Sequence, residues 1–138
     1  MKTVADTNLY IDWLNERRHE AVLFPKDAVR YLSAVVVLEL LAGAHTPRDQ
    51  KALKALVTDF RRSGRILVPA AFAYEEAGEV LRRLQTEMGY EVSGVSSLVN
   101  DVLIALSTRS IGATVITRNR SDFEAIQSIR PFKLMTVS

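Results

Sequence analysis

The stretch KTVADTN, residues 2–8, contains the step from strand to helix on which the fold prediction is built. Lys2–Ala5 predicts a short strand that ends at Asp6, and residues 7–15 predict the helix that follows. In open α/β sheets, the functional groups lie just beyond the carboxyl ends of the strands. The stretch therefore predicts a strand, an acidic residue in a functional position, and a helix, all close to the first residue.

The same alternation of short strands and longer helices continues along the chain. Further strands are predicted at residues 29–32, 65–68, 113–117 and 132–135, and further helices at residues 34–42, 47–62, 70–88 and 121–126. Another predicted helix has Ser96 or Ser97 as its N-cap and runs to about Ser110. A loop is predicted at residues 93–96. Strands rich in β-branched residues and separated by helices favour a parallel sheet covered by helices on both faces, a three-layer α/β fold. No repeat or linker divides the 138 residues, so we predict one domain covering residues 1–138.

The composition is that of an ordinary globular domain. Hydrophobic residues make up 48% of the chain and charged residues 25%. No apolar run approaches the roughly 18 residues of a membrane span, and the first residues lack the apolar stretch of a signal peptide. The absence of cysteine excludes disulfides and thiolate metal sites. We therefore expect a cytoplasmic protein that does not enter the membrane.

The basic residues are unevenly distributed, although the net charge is only +2. One basic stretch near the middle of the chain includes Arg61 and Arg62. A second stretch near the C-terminus includes Arg118 and Arg120. Such stretches either contact phosphates or form solvated helix faces, and the charge pattern leaves both interpretations open.

Three acidic residues lie in places where a negative charge needs an explanation. Asp6 follows the first strand, where it either caps the next helix or binds a cation, and one carboxylate can do both. Glu39 lies in AVVVLELLA, residues 34–42, which is apolar on nearly all sides and is predicted to be buried. It must bind a metal, pair with an arginine or occupy one wet edge. Asp101 lies in the predicted first turn of another apolar helix, where the helix dipole is a second explanation.

A metal site is the explanation that the three acids share. Clustered carboxylates repel one another, and ligand sets made only of oxygen select hard ions such as Mg²⁺ or Mn²⁺. Such an ion lowers the pKa of a bound water and neutralises charge on a phosphate. Asn119 and Asp122 follow the predicted strand at residues 113–117. They are either members of the same site or ordinary turn and capping residues.

Other chemistries lack the residues that they require. The two histidines, His19 and His45, stand in predicted polar or loop segments, which disfavours a metal-free ribonuclease with a histidine pair. Neither a Gly-x-x-x-x-Gly-Lys phosphate loop nor a Gly-x-Ser-x-Gly nucleophile motif occurs. A phosphotransfer domain of the receiver or haloacid-dehalogenase type shares an Asp after the first strand. The haloacid-dehalogenase type would place a second acid where Asn8 stands.

Four segments share the order and spacing of a known family. They are residues 4–8 (VADTN), 33–43 (SAVVVLELLAG), 100–105 (NDVLIA) and 112–123 (GATVITRNRSDF). Together they resemble the PIN-domain family and, within it, the VapC-type toxins of toxin–antitoxin pairs. The resemblance implies a metal-dependent endoribonuclease in which Asp6, Glu39 and Asp101 hold Mg²⁺ or Mn²⁺. A metal-activated water would then attack an RNA phosphodiester bond.

The resemblance also implies roles for four neighbouring side chains. Thr7 and Thr117 would order the site through their hydroxyl groups. The family often carries an acid where Asn119 stands here, and Asp122 is the nearest acid. Either residue fills this fourth position, and the departure leaves the second metal ion open.

The partners expected from the resemblance are RNA, an antitoxin and a second copy of the chain. Arg61, Arg62, Arg118 and Arg120 would position RNA phosphates. The antitoxin would be of the VapB type and would offer a basic side chain to the acids. Two alternatives remain: a housekeeping PIN nuclease that processes RNA without an antitoxin, and a PIN-like RNA-binding domain with an inactive site. The three core acids disfavour the inactive domain.

Overall fold

The computed structural model describes residues 1–91 and 96–138, in which five strands and seven helices alternate. In chain order they are β1 (Lys2–Ala5), α1 (Thr7–Glu16), α2 (Glu20–Leu23), β2 (Val29–Ser33), α3 (Ala34–Ala42), α4 (Pro47–Arg62), β3 (Ile66–Leu67), α5 (Ala71–Met88), α6 (Ser96–Ser110), β4 (Thr114–Thr117), α7 (Arg120–Ile129) and β5 (Lys133–Thr136). The loop predicted at residues 93–96 lies outside the described residues except at Ser96, where α6 begins. Among the described helices, none has the length and hydropathy that a membrane span requires.

The five strands form one parallel sheet in the order β3-β2-β1-β4-β5. β1 pairs with β2 on one side and with β4 on the other, so the two halves of the chain build the sheet outward in opposite directions. Right-handed connections then place the helices of the two halves on opposite faces. α1 accordingly contacts α2 and α3, and α3 contacts α4, while α5, α6 and α7 contact one another. The predicted parallel α/β fold with helices on both faces is confirmed.

The core surrounds the central strand β1 and its neighbour β4. Val4 of β1 and Val115 of β4 are completely buried. They belong to one apolar cluster with Val36 of α3, Ile104 of α6 and Phe123 of α7. Interiors packed in this way hold their side chains and backbone in defined positions. The strand ends that carry polar residues are therefore rigidly placed.

Several predicted ends are shifted by one residue, and three elements differ from the sequence prediction in a way that has a physical reason. β3 has two residues instead of the four predicted, because it is an edge strand with one neighbour and is followed by Pro69, which has no N–H group. α7 continues three residues beyond its predicted end at Ile126 and stops shortly before Pro131, as helices do before proline. The single turn α2 was not predicted, because four residues are too few to show helical periodicity.

The prediction that α3 is buried on nearly all sides is wrong at three positions, which are Leu38, Leu41 and Ala42. Leu38 is 63% exposed and Leu41 is 43% exposed, although Val36 and Leu40 on the same helix are buried. α3 lies in an outer layer of the fold, so only one face of the helix packs against the rest of the molecule. Its outer face is apolar and open.

Ser33 fixes the point at which the chain turns from β2 into α3. Its hydroxyl oxygen accepts a hydrogen bond from the N–H of Val35 at 3.1 Å, and the residue is completely buried. This is an N-cap, which satisfies one of the free N–H groups at the start of a helix. The cap sets the position of the helix that carries Glu39.

We expect Ser33→Ala to lower the free energy of unfolding by about 1 kcal/mol, because it leaves the Val35 N–H without its partner. The measurement is urea denaturation followed by circular dichroism. Ser121→Ala, at an exposed position of α7, is the control and should change stability by less than about 0.5 kcal/mol. Equal stabilities of Ser33→Ala and the wild type would reject the capping role.

Candidate active site

The carboxyl ends of β1 and β4 bring together two polar segments that are far apart in the sequence. The N–H of Asp6 donates to the carbonyl of Ile116 at 2.8 Å, which extends the pairing of the two strands. Thr117 Oγ1 donates to Asp6 Oδ2 at 2.7 Å. Because the chain leaves β1 and β4 in opposite directions, this strand end is the switch point at which open α/β sheets form their sites.

Asp6 is a buried acid that also caps α1. Its Oδ1 accepts the N–H of Thr7 at 2.7 Å, and its Oδ2 accepts from Asn8 Nδ2 at 3.2 Å in addition to Thr117. Burial raises the pKa of Asp6, the hydrogen bonds from Thr117 and Thr7 oppose that rise, and the negative charge of Glu39 adds to it. The capping interpretation is confirmed by this geometry. Metal binding by the same carboxylate stays a prediction.

Glu39 reaches the same place from α3. Its Oε1 accepts a hydrogen bond from Thr7 Oγ1 at 2.7 Å, and the residue is half-buried. Thr7 therefore donates its backbone N–H to Asp6 and its hydroxyl to Glu39, which keeps the two acids beside each other. The predicted role of Thr7 and Thr117 in ordering a catalytic site stays a prediction, although both residues hydrogen-bond to the acids concerned.

Asp101 joins the two acids from the opposite layer. It is the sixth residue of α6 and so lies beyond the first turn, in which it was predicted. The helix dipole acts mainly within the first turn and so does not account for this acid. Burial, followed by the negative charges of Asp6, Glu39 and Asp122, raises the pKa of Asp101 to about 8. The surroundings of Asp101 thus disfavour its ionised form.

Asn119 forms a bridge between two of the acids. Its Nδ2 group donates to Asp101 Oδ2 at 3.3 Å and to Asp122 Oδ2 at 3.0 Å. The second oxygen of Asp122 accepts from the Tyr90 hydroxyl at 3.3 Å. Both candidates for the fourth position therefore lie at the site, with Asn119 between Asp122 and Asp101.

Tyr90 was missed by the sequence analysis. It follows the end of α5 and lies 32 residues from Asp122 in the sequence, so no local motif connects the two. Burial, with the charge and hydrogen bonding of Asp122, raises the pKa of Tyr90. Only the packing of α5 beside α7 brings this hydroxyl to the acids.

The four predicted RNA-binding arginines fall into two groups. Arg118 and Arg120 follow β4 and lie at the carboxyl end of the sheet. Arg118 is paired with Asp12 at 3.0 Å, and Arg120 with Glu124 at 3.0 Å. Arg61 and Arg62 occupy the last turn of α4, which leads into the amino end of β3. The second pair therefore lies at the opposite end of the sheet from the acids, and RNA binding by all four stays a prediction.

The donor chemistry of the site fits a hard cation. Asp6, Glu39 and Asp101 offer only oxygen atoms, and the pKa values of the two aspartates are raised by burial and by the negative charges of neighbouring acids. Within the described residues, no three acidic or histidine side chains converge closely enough to form a complete metal cage. The carboxylates are instead held by Thr7, Thr117 and Asn119.

A comparison with known families assigns the chain to a family. The family model described as "PIN domain" matches residues 3–128. The chain belongs to the PIN-domain family. The resemblance that the sequence carried is thereby confirmed, and the matched region includes all three core acids.

Solved structures show the same fold for this PIN domain. A chain of VapBC2 from Rickettsia felis, bound to a DNA fragment from their promoter, is 22% identical with a TM-score of 0.71, and the match covers 100% of both chains. DNA-bound VapBC from Salmonella typhimurium is 21% identical, covering 99% and 98%, with a TM-score of 0.69. VapBC-5 from Mycobacterium tuberculosis is 23% identical, covering 99% and 98%, with a TM-score of 0.68. Among curated proteins, no sequence matches significantly.

The raised pKa of Asp101 predicts how the metal-free PIN domain responds to pH. An unfolded Asp loses its proton near pH 4, whereas folded Asp101 keeps it until about pH 8. Between these values the folded state binds more protons, so this residue makes the protein less stable as pH rises from about 4 to 8. Asp101→Asn removes that loss and should be more stable than the wild type by at least about 1 kcal/mol at pH 8.5 in EDTA.

The measurement is urea denaturation of both proteins at pH 5 and at pH 8.5. Asp27→Asn, which changes an exposed carboxylate before β2, is the control and should follow the wild type at both values. A wild type and an Asp101→Asn variant with the same pH dependence would show that Asp101 titrates normally.

Proposed function

We propose that this PIN domain is an endoribonuclease that depends on Mg²⁺ or Mn²⁺ and is the toxin of a toxin–antitoxin pair. The observation that carries the proposal is that Asp6, Glu39 and Asp101 lie near one another at the carboxyl end of the sheet, where burial and the negative charges of neighbouring acids raise the pKa of Asp101 to about 8. Three acids in such surroundings are costly to keep unless they bind a cation. Cellular RNA as the substrate places the protein in the cytoplasm.

In this proposal Asp6, Glu39 and Asp101 would bind the ion, and Thr7 and Thr117 would orient Asp6 and Glu39. Asp6 is oriented by Thr117 and by the N–H of Thr7, and Glu39 by the Thr7 hydroxyl. A bound Mg²⁺ or Mn²⁺ supplies activation of water and charge neutralisation at a phosphate. Asp101 must release its proton before it can act as a ligand, so raising the pH through 8 favours metal binding.

Phosphate binding is assigned first to Arg118 and Arg120. Arg118 follows β4 directly and its positive charge acts on Asp6, while Arg120 begins α7. Their side chains are 46% and 72% exposed despite their ion pairs. Surface ion pairs of this kind are weak, so a phosphate can compete with the carboxylate partner. Arg61 and Arg62 lie at the other end of the sheet, where they can contact only a more distant part of an RNA chain.

The surface beside Glu39 supports a protein partner. A groove between α1, α3 and α4 is lined by Ile11, Leu14, Asn15, Glu39, Leu40, Gly43, Ala44, Asp49 and Leu53. Its apolar side chains and its two acids match an apolar segment that carries a basic residue. A VapB-type antitoxin with such a segment would place its cation beside Glu39 and cover the site. The solved relatives described as VapBC, one of them as a member of a family of toxin–antitoxin systems, support this partner.

A homodimer is part of the same proposal. Exposed apolar side chains occur outside the groove, on α3 at Leu38 and Leu41 and near the start of α5 at Phe72 and Tyr74. Large exposed apolar side chains that lie close together mark surfaces that other chains cover. More than one interface is therefore available to the antitoxin and to a second copy.

The nuclease proposal is tested by removing one carboxylate at a time. Asp6→Asn and Asp101→Asn should each lower RNA cleavage in Mn²⁺ by at least about 100-fold, because each removes a charged ligand. Asp27→Asn should cleave like the wild type. The measurement is cleavage of defined RNAs with Mg²⁺, Mn²⁺ or EDTA. Wild-type rates in either site variant would reject the assignment.

Melting with Mn²⁺ and with EDTA shows whether a loss of cleavage reflects lost metal. Mn²⁺ at about 100 times its dissociation constant should stabilise the wild type by about 2.7 kcal/mol. Asp6→Asn should lose most of that gain and still keep its helix cap, since Asn caps as well as Asp. Equal shifts in the two proteins would remove Asp6 from the metal site.

The partner proposal is tested at Ile11, which is 44% exposed in the groove. The natively expressed protein should co-purify with a small second chain. Ile11→Glu should weaken that complex by about tenfold or more, because it places a charge in an apolar interface. Met135→Glu, at a 41% exposed position of β5, should not weaken it. Recovery of the wild type as a free chain, harmless when overproduced in its own host, would favour a housekeeping nuclease instead.

A further inference from the structure

Four side chains form a continuous hydrogen-bonded chain at the edge of the site. The Tyr90 hydroxyl donates to Asp122 Oδ1 at 3.3 Å, and Asn119 Nδ2 donates to Asp122 Oδ2 at 3.0 Å. The same nitrogen donates to Asp101 Oδ2 at 3.3 Å. This series of hydrogen bonds begins at Tyr90, outside the acid cluster, and ends at Asp101, whose pKa is raised to about 8.

The order of donors and acceptors in this chain is determined by chemistry. Asp101 must be ionised to hold a cation, and an ionised carboxylate only accepts hydrogen bonds. In that state the group between Asp101 and Asp122 must donate in both directions. The amide nitrogen of Asn119 carries two hydrogens and meets this requirement, whereas an acid at that position would not. Asp122 in turn has one oxygen toward Asn119 and the other toward Tyr90, so its orientation is set from both sides.

Tyr90 is itself held by the end of α5. Gly89 ends the helix in the left-handed conformation, with a φ of 74°, which a residue without Cβ adopts freely. The N–H groups of Gly89 and Tyr90 both donate to the carbonyl of Leu84, that of Tyr90 at 3.1 Å, which satisfies a carbonyl at the end of the helix. The half-buried ring packs against the apolar core. The position of the Tyr90 hydroxyl is therefore set by the end of α5 and by the core.

We propose that Tyr90 is a positioning residue that acts through Asp122 and Asn119 to hold the Asp101 carboxylate in place for a divalent cation. The inference rests on the proposed metal-dependent function and adds a residue to its site. Tyr90 does not touch the ion or the substrate. It limits the orientation of the Asp122 carboxylate. Asp122 in turn orients the Asn119 amide, which orients the Asp101 carboxylate.

A purely structural role would have a different signature. If the Tyr90–Asp122 hydrogen bond only ties the end of α5 to α7, its loss lowers stability equally with and without metal. A positioning role predicts that metal affinity falls while the metal-free protein is little changed. Partners that orient metal ligands typically change metal affinity by about 10- to 100-fold. For a residue acting through two others we expect the lower end of that range.

The experiment compares Tyr90→Phe with the wild type. The variant removes one oxygen atom and keeps the ring that packs against the core. The melting temperature of each purified protein is measured against Mn²⁺ concentration from an EDTA baseline. Tyr90→Phe should need about tenfold more Mn²⁺ for half of the maximal shift. Tyr31→Phe, which removes a hydroxyl from a half-buried tyrosine of β2, is the control and should match the wild type.

A double-mutant cycle tests the route of the effect. If Tyr90 acts through Asp122, Tyr90→Phe should have no further effect on the Mn²⁺ requirement of an Asp122→Ala protein. An equal effect in both backgrounds would overturn the proposed route. An unchanged Mn²⁺ requirement of Tyr90→Phe in the wild-type background would overturn the positioning role altogether.

Failure of this inference is distinguishable from failure of the proposed function. A tenfold change in Mn²⁺ requirement in a protein that cleaves no RNA would support the positioning role and reject only the nuclease. Normal metal-dependent cleavage with an unchanged Mn²⁺ requirement in Tyr90→Phe would support the nuclease and reject the positioning role. The absence of any Mn²⁺ shift in the wild type would reject the metal site and this inference together.

Discussion

The hydrogen bond from Thr117 Oγ1 to Asp6 Oδ2 joins the first and fourth strands where both end. It is buried and spans 111 residues of sequence, so it can form only when the two halves of the sheet have paired. A buried carboxylate without such donors is costly. The site therefore depends on the pairing of β1 with β4, and the remaining acids are arranged around this fixed one.

The topology of the sheet explains why acids from distant segments meet. β1 and β4 are neighbours, but the polypeptide continues from β1 toward one edge of the sheet and from β4 toward the other. This divergence leaves a crevice beyond the carboxyl ends of the two strands. α3 brings Glu39 to this crevice from one layer and α6 brings Asp101 from the other. Helices that begin at caps such as Asp6 and Ser33 have defined starting points, and the acids that they carry are defined with them.

The cluster keeps more negative charge than its hydrogen bonds neutralise. Asp6 has three donors, and its pKa is still raised by burial. Asp101 accepts from the Asn119 amide and has a pKa of about 8, because burial and three neighbouring acids outweigh that one donor. The donors around these acids therefore orient them without removing the repulsion between them. The apolar groove with an acidic edge beside Glu39 extends the same charge toward the outer surface.

The sequence by itself determined the features that depend on neighbours in the chain. The strand before Asp6, the capping role of Asp6, the bounds of α3 and α4, and the parallel α/β class all follow from local periodicity and turn chemistry. It also pointed to the three acids, because each stands out against an apolar stretch. The tertiary structure alone decided that Tyr90 meets Asp122 across 32 residues and that Asn119 bridges two acids. It also decided that Leu38 and Leu41 remain exposed and that Asp101 holds its proton to about pH 8. Burial and charge repulsion arise from groups distant in the chain, and no local pattern records them.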